Sequence, residues 1–353
     1  MDLFSSLMEQ NRQYSDLHVE NEPFRARLRK RHSTQIGVWE CMDGRTRMES
    51  VSEMLPGILQ TWANGGGVFS LTWPYFQSSF MDWYRHAREN SRECILLVVW
   101  HRSRSHTHLG CKAHQYDDAM AESVARAQAK ELWNLFKEDD QERHLYPVVC
   151  CLETDSEGLA FRMKEGSEVL DLFSVLDFSE RELRERVYAL YPEIPHRILN
   201  DLLATVISGN IQHIRKVMTL NRTVEACDHC ESIIAVGRGF GWLNREAFVI
   251  APFDPRFPDM VATAAKIVLG NIEKGTIDVK KGAMLLASAP SRTSLGKPGR
   301  EVAGLKASKF LDDALSVIKE RVPELVPYLL SVVAGTEDNT TRRFRIVNLI
   351  RHG

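Results

Sequence analysis

Short apolar runs occur in one order near the front of the chain and recur in that order near its end. That recurrence limits the folds open to it. The front set is Ile36-Gly37-Val38-Trp39, then residues 68–73, then Ile95-Leu96-Leu97-Val98-Val99-Trp100, then residues 146–152. After the last comes the turn 153–158 and the run Leu159-Ala160-Phe161-Arg162-Met163. The rear set is Ser232-Ile233-Ile234-Ala235-Val236, Ala247-Phe248-Val249-Ile250-Ala251, Met284-Leu285-Leu286-Ala287 and residues 328–337, with Phe344-Arg345 standing where Phe161-Arg162 stood. Runs of this length between turn residues read as buried strands. Helical stretches at 80–89 and 119–136 separate them in the front half, with Asp117 or Asp118 as the cap of the second. Asn64-Gly65-Gly66-Gly67 reads as a turn ahead of the strand at 68–73. Strands alternating with helices predict an α/β fold, here as two tandem domains, the second a degenerate copy of the first.

The expected organisation is an N-terminal helical arm at 1–32, a first domain at 33–176, a helical connector at 177–226 and a second domain at 227–353. The connector carries Leu183, Val187, Leu190, Leu202 and Val206 at helical spacing and reads as packing across the domains. A length of 353 residues suits two domains. The net charge of −2 gives no general attraction to nucleic acid or membrane. No apolar run is long enough for a membrane span, and the first residues, M-D-L-F-S-S-L-M-E-Q-N-R, lack the pattern of a secretory signal. Seven scattered cysteines, an odd number, argue against a disulfide framework and for a reducing, cytoplasmic setting. The basic run Arg25, Arg27, Arg29, Lys30, Arg31, His32 reads as the solvated face of a helix packing over the domain. A binding arm for an acidic partner is the sharper alternative.

Two strand ends carry the chemistry. Residues 95–100 lead into H-R-S-R-S-H-T-H-L-G-C-K-A-H, residues 101–114, and Ile36-Gly37-Val38-Trp39 leads to Cys41-Met42-Asp43-Gly44-Arg45. Two thiolates and one imidazole hold a zinc ion with its fourth position open, the layout of a catalytic site rather than a structural one. Cys41 and Cys111 supply the thiolates. The imidazole is His101, which directly follows a strand, or His108, which forms H-x-x-C with Cys111. Asp43 adds a carboxylate, and Arg45 a cation to restrain it.

Cys-x-Asp-x-Arg at one strand end, followed by a second strand with His and Cys beyond it, resembles the β-carbonic anhydrases. The long interval from His101 to the run Gly110-Cys111-Lys112-Ala113-His114 is closest to their carboxysome-shell, epsilon-type branch. The resemblance implies a zinc lyase interconverting carbon dioxide and bicarbonate. Zinc-bound hydroxide attacks, Asp43 orients it, and Arg45 holds Asp43 off the metal. It implies metal ligands Cys41, His101 and Cys111, with His106, His108 and His114 as candidate proton shuttles. It further implies a metal-free second copy, an active-site interface carried within one chain, and a homo-oligomer of such pseudo-dimers. The setting it implies is a carboxysome, with shell or Rubisco as partners. The second copy fits this, because His101 falls opposite Ala287, His108 opposite Ser294 and Cys111 opposite Lys297.

Other signals read as structural. Cys227-Asp228-His229-Cys230 reads as the loop leading into a strand, with a redox dithiol as its alternative. Cys150 and Cys151, adjacent in a strand, point to opposite faces. Gly237-Arg238-Gly239-Phe240-Gly241 reads as the counterpart of the Cys41 loop, and Trp73-Pro74-Tyr75-Phe76 as an apolar wall beside the metal or as core. The rival functions are a zinc lyase or hydrolase acting on carbon disulfide or carbonyl sulfide, an inactive scaffold on the same fold, and a redox protein.

Overall fold

The structure, a computed structural model, describes residues 2–137, 143–220, 228–252, 254–278, 280–292 and 295–351. Cys227, Thr293 and Ser294, which enter the sequence reading, lie outside them. The chain forms two compact units. One comprises Pro23–Cys41 and Thr46–Asp228; the other comprises Met1–Glu22, Met42–Arg45 and His229–Gly353. Each is α/β and carries one mixed sheet, of six and five strands. Among the described residues no helix is long and apolar enough to cross a membrane.

The six-stranded unit contains β1 (Gln35–Cys41), β2 (Leu59–Asn64), β3 (Cys94–Arg102), β4 (Leu145–Glu153), β5 (Gly158–Arg162) and β6 (Val169–Asp171), in the sheet order β2-β1-β3-β4-β5-β6. β2, β1, β3 and β4 run parallel, β5 pairs antiparallel to β4, and β6 antiparallel to β5. The strands are buried on both faces, and their residues alternate between two cores. Ile95, Leu97 and Val99 enter one core; Leu96, Val98 and Trp100 enter the other. Cys150 and Cys151 divide in the same way.

The strand expected at 68–73 is absent. β2 lies before the glycine turn rather than after it, at Leu59–Asn64. Phe69 instead leaves the ladder to join a cluster of rings with Trp39 and Phe76, at centroid distances of 5.3 and 4.7 Å. Helix α4 (Pro74–Glu89) begins with Pro74 in its first turn and brings Phe76 and Phe80 onto that cluster, leaving Tyr75 exposed. Helix α5 (Asp118–Leu135) covers the same face and is capped by Asp117, whose side chain accepts the Met120 N–H at 2.9 Å.

The opposite core is closed by α3 (Met48–Val51), α6 (Glu180–Leu190), α7 (His196–Leu202) and α8 (Ser208–Met218). α6 and α7 carry Leu183, Val187, Leu190 and Leu202, and Val206 follows between α7 and α8; all are buried and pack within this unit. A π turn at Leu203–Ile207 joins α7 to α8. A Cβ on Gly209 would run into the Ser52 carbonyl oxygen, so glycine is what lets α8 approach this closely. The basic helix α2 (Glu22–Arg31) buries Arg25 and leaves Arg27, Lys30 and Arg31 exposed. Just beyond it, the Asp201 carboxylate bonds His32 Nδ1 at 2.9 Å and accepts the Thr34 N–H at 3.0 Å.

The five-stranded unit contains β7 (Ile233–Gly237), β8 (Ala247–Ile250), β9 (Ala283–Ser291), β10 (Leu329–Asp338) and β11 (Phe344–Arg351), ordered β11-β10-β9-β7-β8. The pairs β7–β8, β7–β9 and β9–β10 are parallel, and β10–β11 is antiparallel. This is the order and sense of β1 to β5. Helices α9 (Phe257–Glu273) and α10 (Gly296–Arg321) occupy the places in the chain that α4 and α5 hold in the first set. Helix α1 (Leu3–Glu20) belongs to this unit. Its buried Asn11 donates to the Arg342 carbonyl oxygen at 3.1 Å and accepts the Phe344 N–H at 2.8 Å, which fixes α1 on the β10–β11 hairpin.

Candidate metal centre

In an open parallel sheet a crevice forms at the carboxyl ends of two neighbouring strands whose connections leave toward opposite sides. β1 and β3 are such a pair, since β1 connects outward to β2 while β3 connects away to β4. Cys41 is the last residue of β1, and His101 is the last but one of β3. Trp39 pairs with Val98 across the two strands. Both side chains therefore emerge just beyond one rung of the ladder.

Cys111 arrives on the loop between β3 and α5. That loop is held at its start by Asp155, whose carboxylate accepts the Ser103 hydroxyl at 2.8 Å and the N–H groups of Arg104 and Ser105 at 2.7 and 2.9 Å. Leu109 anchors its middle, 1% exposed. The Cys111 carbonyl oxygen accepts N–H groups from His114 and Tyr116 at 3.1 and 3.0 Å, closing a tight turn. His114 Nε2 donates to the Gly66 carbonyl oxygen at 3.0 Å. Gly66 has φ +69°, and a Cβ there would strike the His114 ring, so the position demands glycine. From α5, Gln128 accepts the Phe69 N–H at 2.7 Å and donates to the Gly67 carbonyl oxygen at 3.2 Å. The glycine turn after β2 thus locates the Cys111 loop.

Cys41, His101 and Cys111 come together. One ligand atom from each lies within 4.8 Å of the others, and all three residues are buried. The two Sγ atoms stand 3.9 Å apart. A disulfide needs about 2.05 Å. Two thiolates on one tetrahedral zinc, at Zn–S distances of about 2.3 Å, stand about 3.8 Å apart. The spacing fits a shared metal ion. The hydrogen bond with the Cys111 thiol, and then burial, hold the Cys41 thiol well above its ordinary pKa, against the pull of His101. Two buried thiolates are thus costly without a cation, and a divalent ion is the group that removes the cost.

The other histidines are placed differently. His108 is exposed and outside this group, with its ring 5.5 Å from that of the half-buried His106. His114 is buried against Gly66. Cys230 is half-buried, and burial pushes its thiol up to about 11.

Asp43 and Arg45 form a closed pair within the five-stranded unit. Asp43 Oδ1 accepts the Arg45 backbone N–H and Nε–H, both at 2.9 Å, and Oδ2 accepts Nη2–H at 2.6 Å. The Arg45 side chain is wholly buried. A Cβ on Gly44 would run into the Arg245 carbonyl oxygen, so the turn between them requires glycine. The same guanidinium reaches His229, and His229 reaches Glu231. Sequence reasoning passed over these two. The available signal was the ligand-rich run Cys227-Asp228-His229-Cys230, read for its cysteines and not for the histidine between them.

Matching the chain against protein-family models returned no match, and matching it against curated proteins returned none.

Proposed function

We propose that the chain is a zinc-dependent carbonic anhydrase interconverting carbon dioxide and bicarbonate. The supporting observation is the buried group Cys41, His101 and Cys111 at the carboxyl ends of β1 and β3. Three ligands of these types leave one position of a tetrahedral ion for substrate chemistry. A zinc ion held there supplies a water that ionises near pH 7 instead of 15.7. The protein contributes the rest. Arg45 holds Asp43 in place through three hydrogen bonds. By the resemblance to the β-carbonic anhydrases, Asp43, two residues along the chain from Cys41, would accept a hydrogen bond from the reacting water. One C–O bond forms, bicarbonate leaves, and a proton must reach solvent. His108, exposed, and His106, half-buried, are the imidazoles of the loop that solvent reaches, and they are the candidates for that task. His114 is committed to the Gly66 carbonyl.

The test measures zinc content and carbon dioxide hydration on wild type, Cys41→Ser, His101→Ala and His108→Ala. The expected result is one zinc per chain with fast hydration in wild type. Both should be lost in the first two variants, and metal should be retained in the third. Zinc that departs with His108 and stays without His101 would move the ligand. A wild type that neither holds zinc nor hydrates carbon dioxide would end the proposal.

A further inference from the structure

Arg45 Nη2 lies 2.6 Å from Asp43 Oδ2 and 3.1 Å from His229 Nε2. A guanidinium has only donors, so Nε2 must be the acceptor and carry no proton. The ring proton then sits on Nδ1, which faces the Glu231 carboxylate at 2.9 and 3.2 Å. A carboxylate on one ring nitrogen fixes the tautomer and leaves the other as an acceptor. Glu231 is itself held. Its side chain is wholly buried, its Oε1 accepts the Gly44 N–H at 3.3 Å, and its carbonyl oxygen accepts the Asn271 amide at 3.1 Å. The chain of contacts therefore returns to the turn on which Asp43 and Arg45 stand. That turn is pinned from its other side, where the Met42 carbonyl oxygen accepts the Val249 N–H of β8 at 3.0 Å.

We infer that His229 and Glu231 are positioning residues for the Asp43–Arg45 pair, with neutral His229 accepting from Arg45 and Glu231 fixing its tautomer. The inference rests on the proposed function for the role of Asp43. Ligand atoms of Asp43, His229 and Glu231 also lie within 4.8 Å of one another, which is metal-site spacing. The Arg45 guanidinium already bonds two of these three, so the cation of this group is Arg45 and not a second ion. Arg45 has two planar edges to satisfy. Asp43 takes one, and His229 accepts a further N–H that directs the guanidinium. Without His229, Arg45 and Asp43 would still pair, with one fewer contact directing the acceptor of the reacting water.

The test has two arms. The first is the ring-nitrogen NMR spectrum of the full chain, which reports where each histidine proton resides. His229 is expected as the neutral Nδ1–H form at pH 7. An Nε2–H form, or an imidazolium, would overturn the inference whether or not the protein holds zinc or hydrates carbon dioxide. The second arm compares His229→Ala and His229→Gln in hydration. Partners that orient reacting groups typically cost 10–100-fold in activity when removed. His229→Ala should keep one zinc and its KM while kcat falls about tenfold or more. His229→Gln, with an amide oxygen for Arg45 and an N–H for Glu231, should recover most of the loss. An alanine variant with wild-type kcat, or a glutamine variant no better than alanine, would overturn the positioning role. A wild type without zinc or hydration would instead defeat the proposed function, and the tautomer would still decide the contact.

Discussion

His213 on α8 faces two carboxylates, and that fixes how one part of the stability depends on pH. Its Nδ1 lies 2.8 Å from Glu53 Oε1 and its Nε2 2.5 Å from Glu157 Oε2, while Lys216 Nζ sits 2.7 Å from Glu53 Oε2. Burial pulls the imidazole pKa down, but the hydrogen bonds and charges of Glu157 and Glu53 outweigh it, and the net shift is upward from 6.5. A raised folded-state pKa means the charged imidazole stabilises the fold fully below about 6.5. That contribution fades as pH rises through the folded value. Urea unfolding of wild type and His213→Gln should show its widest gap on the acid side and a narrowing gap toward pH 9. A gap of constant size would sink the assignment. Legibility at this scale followed sequence distance. Cys41, Asp43 and Arg45 could be read because five consecutive residues carry them after a strand, and His101 because it follows one directly. The run around His229 marked it as ligand-rich, but its contact with Arg45 could not be read, because the two are 184 residues apart.

At the scale of elements, one side chain ties three together. Asn210 on α8 accepts the Leu159 N–H of β5 at 2.9 Å and donates to the carbonyl oxygens of Val51 on α3 and Glu157 at 2.8 Å each. It is wholly buried. Replacing it by leucine would strip partners from three backbone groups at a dry junction, and each buried orphan costs about 1–3 kcal/mol. The expected loss for Asn210→Leu is about 3 kcal/mol or more, measured by urea unfolding with the slope unchanged. A loss under about 1 kcal/mol would mean the junction relaxes or takes up water. Elements were legible where apolar periodicity and burial agree, as in β1, β3, β4 and α5. The misplaced strand at 68–73 shows the limit. Its apolar residues are real, but Phe69 serves a cluster of rings rather than a ladder. The π turn at Leu203–Ile207 was equally hidden, since no residue type demands the extra one it inserts.

For the whole molecule, the repeated strand order bears on metal content. β1 to β5 and β7 to β11 follow one plan, three parallel pairs closed by an antiparallel hairpin, and the order of apolar runs made that recurrence readable. The partition of the chain was not readable, because α6 to α8 and Met42–Arg45 are assigned by packing between distant residues. In the second sheet β7 ends at Gly237, which pairs with Ser288, and Ala287 and Ala289 flank that serine on β9. None of these is a thiolate or an imidazole, and Lys297 stands exposed in α10. Among the described residues, these strand ends therefore share the frame without the Cys41, His101 and Cys111 donors, and one zinc per chain is expected. Such an ion stabilises by binding only the folded form, by about 2.7 kcal/mol when free zinc is 100 times its dissociation constant. A chelator should lower the thermal midpoint of wild type to that of Cys41→Ser, whose own midpoint should not respond to chelation. Two zinc ions per chain would place a second donor set in the five-stranded unit. A wild-type midpoint that holds while zinc is stripped would mean that the ion does not favour the folded form, and would count against Cys41, His101 and Cys111 as its site.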